Sequence, residues 1–151
     1  MKKQLTSCAQ GRVKPLSHVN DPVFSSKMIG DGVAITPTHP EIVSPCDGIV
    51  SMVFPTQHAF GISSEGIDIL IHIGIDTVSL QGKHFKALIK EGDHVQAHQV
   101  CVVCDFKEIQ EAGLSIDTMM IISNKPEDVE IVIHDETRDV SIHDTLITWS
   151  K

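Results

Sequence analysis

IDILIHIGIDTV, residues 67–78, carries isoleucine at 67, 69, 71, 73 and 75, a strict period of two. Successive side chains on a strand point to opposite faces, so this run reads as a strand with one wholly apolar face. The positions between carry Asp68, Leu70, His72, Gly74 and Asp76. A strand so apolar on one side has an unusual histidine and aspartate on the other.

Upstream lies QHAFGISSEG, residues 57–66. Ser64-Glu65-Gly66 is expected to close a hairpin as a three-residue loop with glycine in the left-handed position, because a two-residue Glu65-Gly66 loop forces glutamate to positive φ. In that register Ala59, Gly61 and Ser63 face isoleucines, and His58 faces His72. Directly opposed residues have Cβ atoms about 4.5–5.5 Å apart, so the two imidazoles are expected side by side. Such a pair admits three chemistries. It can bind zinc with Asp76 as a third ligand, act as nucleophile and charge-stabilising donor, or serve as general acid and base. Asp76 lies about 13 Å from His72 along a straight strand, so it joins the pair only if the chain bends near Gly74.

Outward from this hairpin, seven prolines and ten glycines punctuate short β-rich runs. They include GVAITP, GIVSMVF, QVCVVCDF, TMMIIS and VEIVIH. Many short strands with frequent turns predict an all-β fold, a sandwich or barrel. VSPCDGIVSMVF and IKEGDHVQAHQVCVVCDF each place a glycine-aspartate turn before an alternating strand, a cadence similar to biotinyl and lipoyl carriers that suggests a barrel-sandwich hybrid. Two helical pieces are predicted: GKHFKALIKEG, with Phe85, Leu88 and Ile89 at i, i+3 and i+4, and FKEIQEAG, ending at Gly113.

The 151 residues suit one domain, 1–151, with a sizeable core. A net charge of −8 with no basic stripe excludes nucleic acid as an expected partner. No segment approaches the ~18 apolar residues of a membrane span, and no apolar run precedes LTSC at residues 5–8, so membrane insertion, lipidation and secretion are not expected. A cytoplasmic monomer with reduced thiols is the expectation. Cys101 and Cys104 sit at an odd spacing on an alternating strand, on opposite faces, which disfavours a redox or zinc pair.

FSSKMIGDGVAITP, SPCDGIV, QHAFGI, ILIHIGIDTVSLQGKHFKALIKEGDHV and IISN together resemble the glucose-family enzyme IIA domain of the bacterial sugar phosphotransferase system. The resemblance runs from about Gly11 to Trp149. It implies a compact antiparallel β-sandwich with a shallow active-site depression. It also implies a phosphotransferase working through phosphohistidine, without a cofactor. By this resemblance His72 is the phosphoacceptor and His58 its neighbour, the same two residues that the hairpin brings together. Thr56 is implied to orient His58, and a carbonyl near Gly74 to hold the second nitrogen of His72. Phosphate is implied to arrive from the carrier protein HPr and to leave for a IIB domain, with cysteine as acceptor, during sugar import. Asp21 and Asp76 match acidic positions that anchor a partner arginine. Val23, Phe24, Phe54, Leu70, Ile71 and Val78 are the corresponding apolar collar. No metal is expected, although His58 and His72 can take up zinc incidentally.

Two departures from the family pattern stand out. TSCAQG replaces a proline-containing opening strand, so an irregular first strand is expected. Leu70 and Ile73 stand where many members carry phenylalanine, which bears on partner choice. No IIB or IIC segment is recognisable in the chain, so action in trans or excision from a longer product is expected.

Three other readings compete. A lipoyl or biotinyl carrier needs a lysine at a hairpin tip, whereas Lys107 opens a helical piece. A zinc hydrolase of a related hybrid barrel needs an H-x-H pair, which is absent, and His94 and His98 stand at helical spacing. A regulatory binding protein that senses sugar flux is compatible with the phosphocarrier reading. His18, His39, His84, His94, His98, His134 and His143 are expected at surface or turn positions.

Overall fold

The computed structural model describes residues 3–150. Its strands are β1 (Lys3–Thr6), β2 (Gly11–Pro15), β3 (Asp31–Pro37), β4 (Glu41–Val43), β5 (Gly48–Val53), β6 (Ala59–Ser64) and β7 (Ile67–Ile73). They continue as β8 (Phe85–Ala87), β9 (His94–Val95), β10 (Val100–Cys104), β11 (Thr118–Asn124), β12 (Glu130–Ile133), β13 (Arg138–Val140) and β14 (Thr145–Ser150). Two short helices, α1 (Pro22–Ser25) and α2 (Phe106–Glu111), and two 3-10 turns at Leu16–His18 and Thr77–Leu80 complete the chain. The largest sheet runs β13-β2-β3-β11-β7-β6-β5-β9; the smaller two run β1-β14-β12 and β4-β10-β8. Every pairing is antiparallel, the arrangement of a β-sandwich.

The isoleucine stripe behaves as its period dictates. Ile67, Ile69, Ile71 and Ile73 are buried to within 1 % of their surface, while Asp68, Leu70 and His72 are half-buried. The isoleucines join Val33, Ile35, Phe60, Met120 and Trp149 in the main core. Burying such side chains stabilises by about 1.5–3 kcal/mol each, which pins the register of β7.

On the other face of the large sheet a second, smaller cluster forms from Leu16, Val19, Phe24, Ala34, Ile75, Met119 and Ile121. Ala34, Met119, His72 and Ala59 lie in one row across β3, β11, β7 and β6. His72 therefore stands at the margin of an apolar floor. The segment carrying Leu16, Val19 and Phe24 folds over that floor.

The structure corrects three expectations. The hairpin loop has two residues, not three: Ser64 pairs with Ile67, and Glu65 and Gly66 take φ values of 47° and 88°. Two successive positive-φ residues match the right-handed twist of the flanking strands, and that match outweighs the cost to glutamate. Residues 82–92 form no helix. Gln81 and His84 have φ values of 54° and 78°, and Phe85–Ala87 pairs as β8 with Cys104–Val102 of β10. Pairing that buries Phe85 overrides a weak helical spacing. The 3-10 turn at Leu16–His18 and helix α1 were not foreseen, although Asp21-Pro22 carries the N-cap and first-turn proline of a helix start. The predicted second helix is present as α2. In β1, pairing with β14 shifts register between Leu5 and Thr6.

All four cysteines are buried, unbonded thiols. Burial pushes Cys101 and Cys104 up to about 12, so neither supplies a thiolate. Among the described residues no helix is long and apolar enough to cross a membrane.

Candidate functional site

His72 is the last polar residue of β7 before the chain turns. Gly74 follows at φ 79°, and the chain bends there. The bend is fixed from three sides. The Gly74 N–H donates to the carbonyl of Asp117 at 2.9 Å, Ile75 N–H donates to the carbonyl of Ser115 at 3.1 Å, and the Thr77 hydroxyl donates to the carbonyl of Ile73 at 2.5 Å. The Gly74 carbonyl is thereby turned back toward His72, whose Nδ1 lies 2.9 Å from it. A carbonyl only accepts, so Nδ1 carries the proton and Nε2 keeps the free electron pair.

His58 reaches the site by a different route from the one its spacing suggested. The register sets Ala59, not His58, opposite His72, and Ile73 N–H donates to the His58 carbonyl at 2.7 Å. His58 stands just before β6, after Gln57 at φ 60°, where the alternation of the strand no longer applies. Its ring still meets His72, with centroids 4.9 Å apart and planes at 82°. His58 is 2 % exposed, and its Nδ1 lies 2.6 Å from the Thr56 hydroxyl. The Phe54 ring stands edge-on to His58 at 5.3 Å, and Phe24 packs on His72 at 4.8 Å.

Burial, then the neighbouring His58 ring, lower the pKa of His72 from 6.5 to about 4, against the Gly74 hydrogen bond and the charges of Asp21 and Asp76. Burial also lowers that of His58. A lowered pKa favours the neutral imidazole, the form that His72 needs to act as a nucleophile. The folded state of His72 resists a proton that the unfolded chain accepts. Stability from this residue is complete above about pH 6.5 and is lost as pH falls toward 4, by up to about 3 kcal/mol. Acid unfolding followed beside His72→Gln checks this: the unmutated protein is expected to lose stability relative to the variant between those limits, and to run parallel to it below them.

The expected collar divides. Val23, in α1, and Val78, in the 3-10 turn after the bend, are 43 % and 54 % exposed, and Leu70 and Phe54 are half-buried. Ile71 is fully buried on the inner face and is core, not collar, because it is one residue out of phase with His72. Phe24 is 6 % exposed, part of the second apolar cluster, with its ring packed on His72. Asp21 caps α1, its carboxylate accepting Val23 N–H at 2.9 Å. Asp76 follows the bend at φ 61°, exposed, and its charge acts on His72. Among the described residues no group of three or more His, Cys, Asp or Glu is placed to hold a metal ion. The buried Thr77 hydroxyl and the carbonyls of Ser115 and Asp117 were missed by sequence reasoning; only the β-bend forced by Gly74 pointed toward them.

Residues 3–128 match the family model of the phosphoenolpyruvate-dependent sugar phosphotransferase system, EIIA 1. The chain belongs to this family. It is 39% identical over 140 residues to a glucose-specific EIIA component of Staphylococcus epidermidis, covering 87% of this chain and 84% of the relative. It is 46% identical over 123 residues to the glucose-specific EIICBA component of Streptococcus pneumoniae, covering 81% of this chain but 17% of that protein. The chain thus spans about a fifth or less of the EIICBA relatives it matches. The glucose permease IIA of Mycoplasma capricolum superimposes with a TM-score of 0.90 at 31% identity, over 98% of this chain and 96% of that one. A IIA domain is a phosphotransferase and carries phosphate within the sugar phosphotransferase system, and that is the function of this chain. The hydrolase and purely regulatory alternatives find no support in these similarities.

Proposed function

We propose that His72 accepts the phosphoryl group at Nε2 from phosphorylated HPr and passes it to a cysteine of a IIB domain during import of a glucose-type sugar. The observation that carries this reading is the crossed histidine pair with His72 Nδ1 anchored on the Gly74 carbonyl. The nitrogen–phosphorus bond of the donor imidazole breaks, its electron pair returns to the donor ring, and a bond forms between phosphorus and His72 Nε2. The His72 ring then carries positive charge. The Gly74 carbonyl accepting Nδ1–H stabilises that charge, as do the carboxylates of Asp21 and Asp76. With the Thr56 hydroxyl donating to His58 Nδ1, His58 Nε2–H is free to donate to a phosphoryl oxygen.

Val23, Val78, Leu70 and Phe54 offer the apolar contact and Asp21 and Asp76 the acidic rim for a basic carrier, a combination suited to fast, transient docking. In this reading the chain, residues 1–151, is one IIA domain acting as a cytoplasmic monomer. Intact-mass spectrometry after incubation with phosphoenolpyruvate, enzyme I and HPr tests it. One acid-labile phosphoryl adduct is expected, and its absence overturns the reading.

A further inference from the structure

Asp117 lies immediately before β11, between β3 and β7, and all four of its polar atoms are engaged. Its Oδ1 accepts from the Thr36 hydroxyl at 2.7 Å and its Oδ2 pairs with Lys14 Nζ at 2.6 Å. Its N–H donates to Ser115 Oγ at 3.2 Å, and its carbonyl accepts Gly74 N–H at 2.9 Å. The side chains of Lys14 and Asp117 are 25 % and 13 % exposed, far less than those of Arg12, also on β2, and its partner Asp139 on β13, at 57 % and 88 %. A partly desolvated ion pair with a third hydrogen bond fixes geometry in a way that an exposed pair does not.

The geometry points to Asp117, with Lys14 and Thr36, as a positioning residue for phosphoryl transfer, resting on the reading of His72 as the phosphoacceptor. The peptide between Gly74 and Ile75 uses both of its polar groups. Its carbonyl holds His72 Nδ1, and its N–H is held by Ser115. Ser115 and Asp117 belong to one short segment, tied to β2 and β3 solely through the Asp117 carboxylate among its side-chain bonds to those strands. The chain of contacts runs from Lys14 and Thr36 through Asp117 to the 74–75 peptide and ends on the ring nitrogen that must keep its proton. Loosening the carboxylate lets the 115–117 carbonyls drift, and the acceptor of His72 drifts with them. Misplacement of a reacting group by a fraction of an ångström to one ångström costs rate rather than binding.

Asp117→Asn, Lys14→Met and Thr36→Val are compared with the unmutated protein and with Arg12→Gln, which removes the exposed pair on β2. Phosphoryl transfer from phosphorylated HPr gives kcat and KM, and ¹H–¹⁵N spectra of the imidazoles report the His72 Nδ1–H. In Asp117→Asn kcat is expected to fall about tenfold with KM nearly unchanged, and the His72 Nδ1–H signal to broaden and exchange faster with water. Lys14→Met and Thr36→Val move both readouts in the same direction, and Arg12→Gln moves neither. The proposal is overturned if folded Asp117→Asn keeps the kcat and the Nδ1–H signal of the unmutated protein. Should that variant not fold, unchanged readouts in Lys14→Met and Thr36→Val overturn it equally. An unmutated protein that takes up no phosphate removes the phosphoacceptor reading, whereas the Nδ1–H signal still tests whether Asp117 positions the ring.

Discussion

His72→Ala is expected to take up no phosphate at all from phosphorylated HPr, and His58→Ala to take up one phosphoryl group and pass it on slowly. The difference follows from which nitrogen is free. His72 Nδ1 is committed to the Gly74 carbonyl, so Nε2 has an available electron pair on a ring that is part exposed. His58 is 2 % exposed, with Nδ1 on the Thr56 hydroxyl, and a buried ring in that position has no path to in-line attack on a donor. Removing His72 deletes the nucleophile, and no other group replaces it. Removing His58 deletes one charge-stabilising donor, a loss of about 10²–10³ in rate by analogy with oxyanion-hole donors. Intact mass gives the first readout and rapid-quench transfer to a IIB domain the second. Phosphate retained on His72→Ala sinks the assignment, and transfer by His58→Ala at the unmutated rate reduces His58 to a packing role.

How far the sequence foretold this site depends on which physical signal carried each part. The isoleucines of β7 have a period that only a strand satisfies, and the burial of Ile67, Ile69, Ile71 and Ile73 makes it unambiguous. The nearness of His58 and His72 was legible too, yet for a reason only half right. The two-residue Glu65-Gly66 turn moves the register by one, so that Ala59 opposes His72, and His58 reaches its partner from the irregular end of the strand. Local glycine preference pointed to the longer loop, whereas sheet twist, a property of the pair of strands, decided for the shorter one. Phe85, Leu88 and Ile89 deceived in the same way: the helical spacing is there, but Phe85 opens a three-residue strand that ends at Ala87 and pairs with Val102–Cys104, a partner that local spacing does not reveal. Ile71 was misread as surface because a collar was carried over position by position without the alternation that places it inside. The supports of Gly74 were illegible for a plainer reason. Ser115 and Asp117 act through their carbonyls, which every residue has.

Gly74→Ala is expected to cost about 2–4 kcal/mol of stability and to disarm His72 in the molecules that remain folded. Two separable penalties add. The φ of 79° carries a cost of about 1–2 kcal/mol for any residue with a Cβ. A methyl group there also runs into Thr77 Cγ2 and comes within 2.9 Å of the Ser115 carbonyl. Thr77 is fully buried, with its hydroxyl bonded to the Ile73 carbonyl, so it has no room to withdraw. The bend must open, and the carbonyl that holds His72 Nδ1 turns with it. Thr77→Ser removes Cγ2 while keeping the hydroxyl. The double variant Gly74→Ala/Thr77→Ser is therefore expected to regain much of the steric part and none of the φ part, a positive coupling of about 1–2 kcal/mol by double-mutant cycle. Urea midpoints measure the coupling, and the His72 Nδ1–H resonance shows whether the ring recovers with the fold. Additive losses would mean that the clash with Thr77 is relieved elsewhere. A normal Nδ1–H signal in Gly74→Ala would mean that the bend holds His72 without needing glycine.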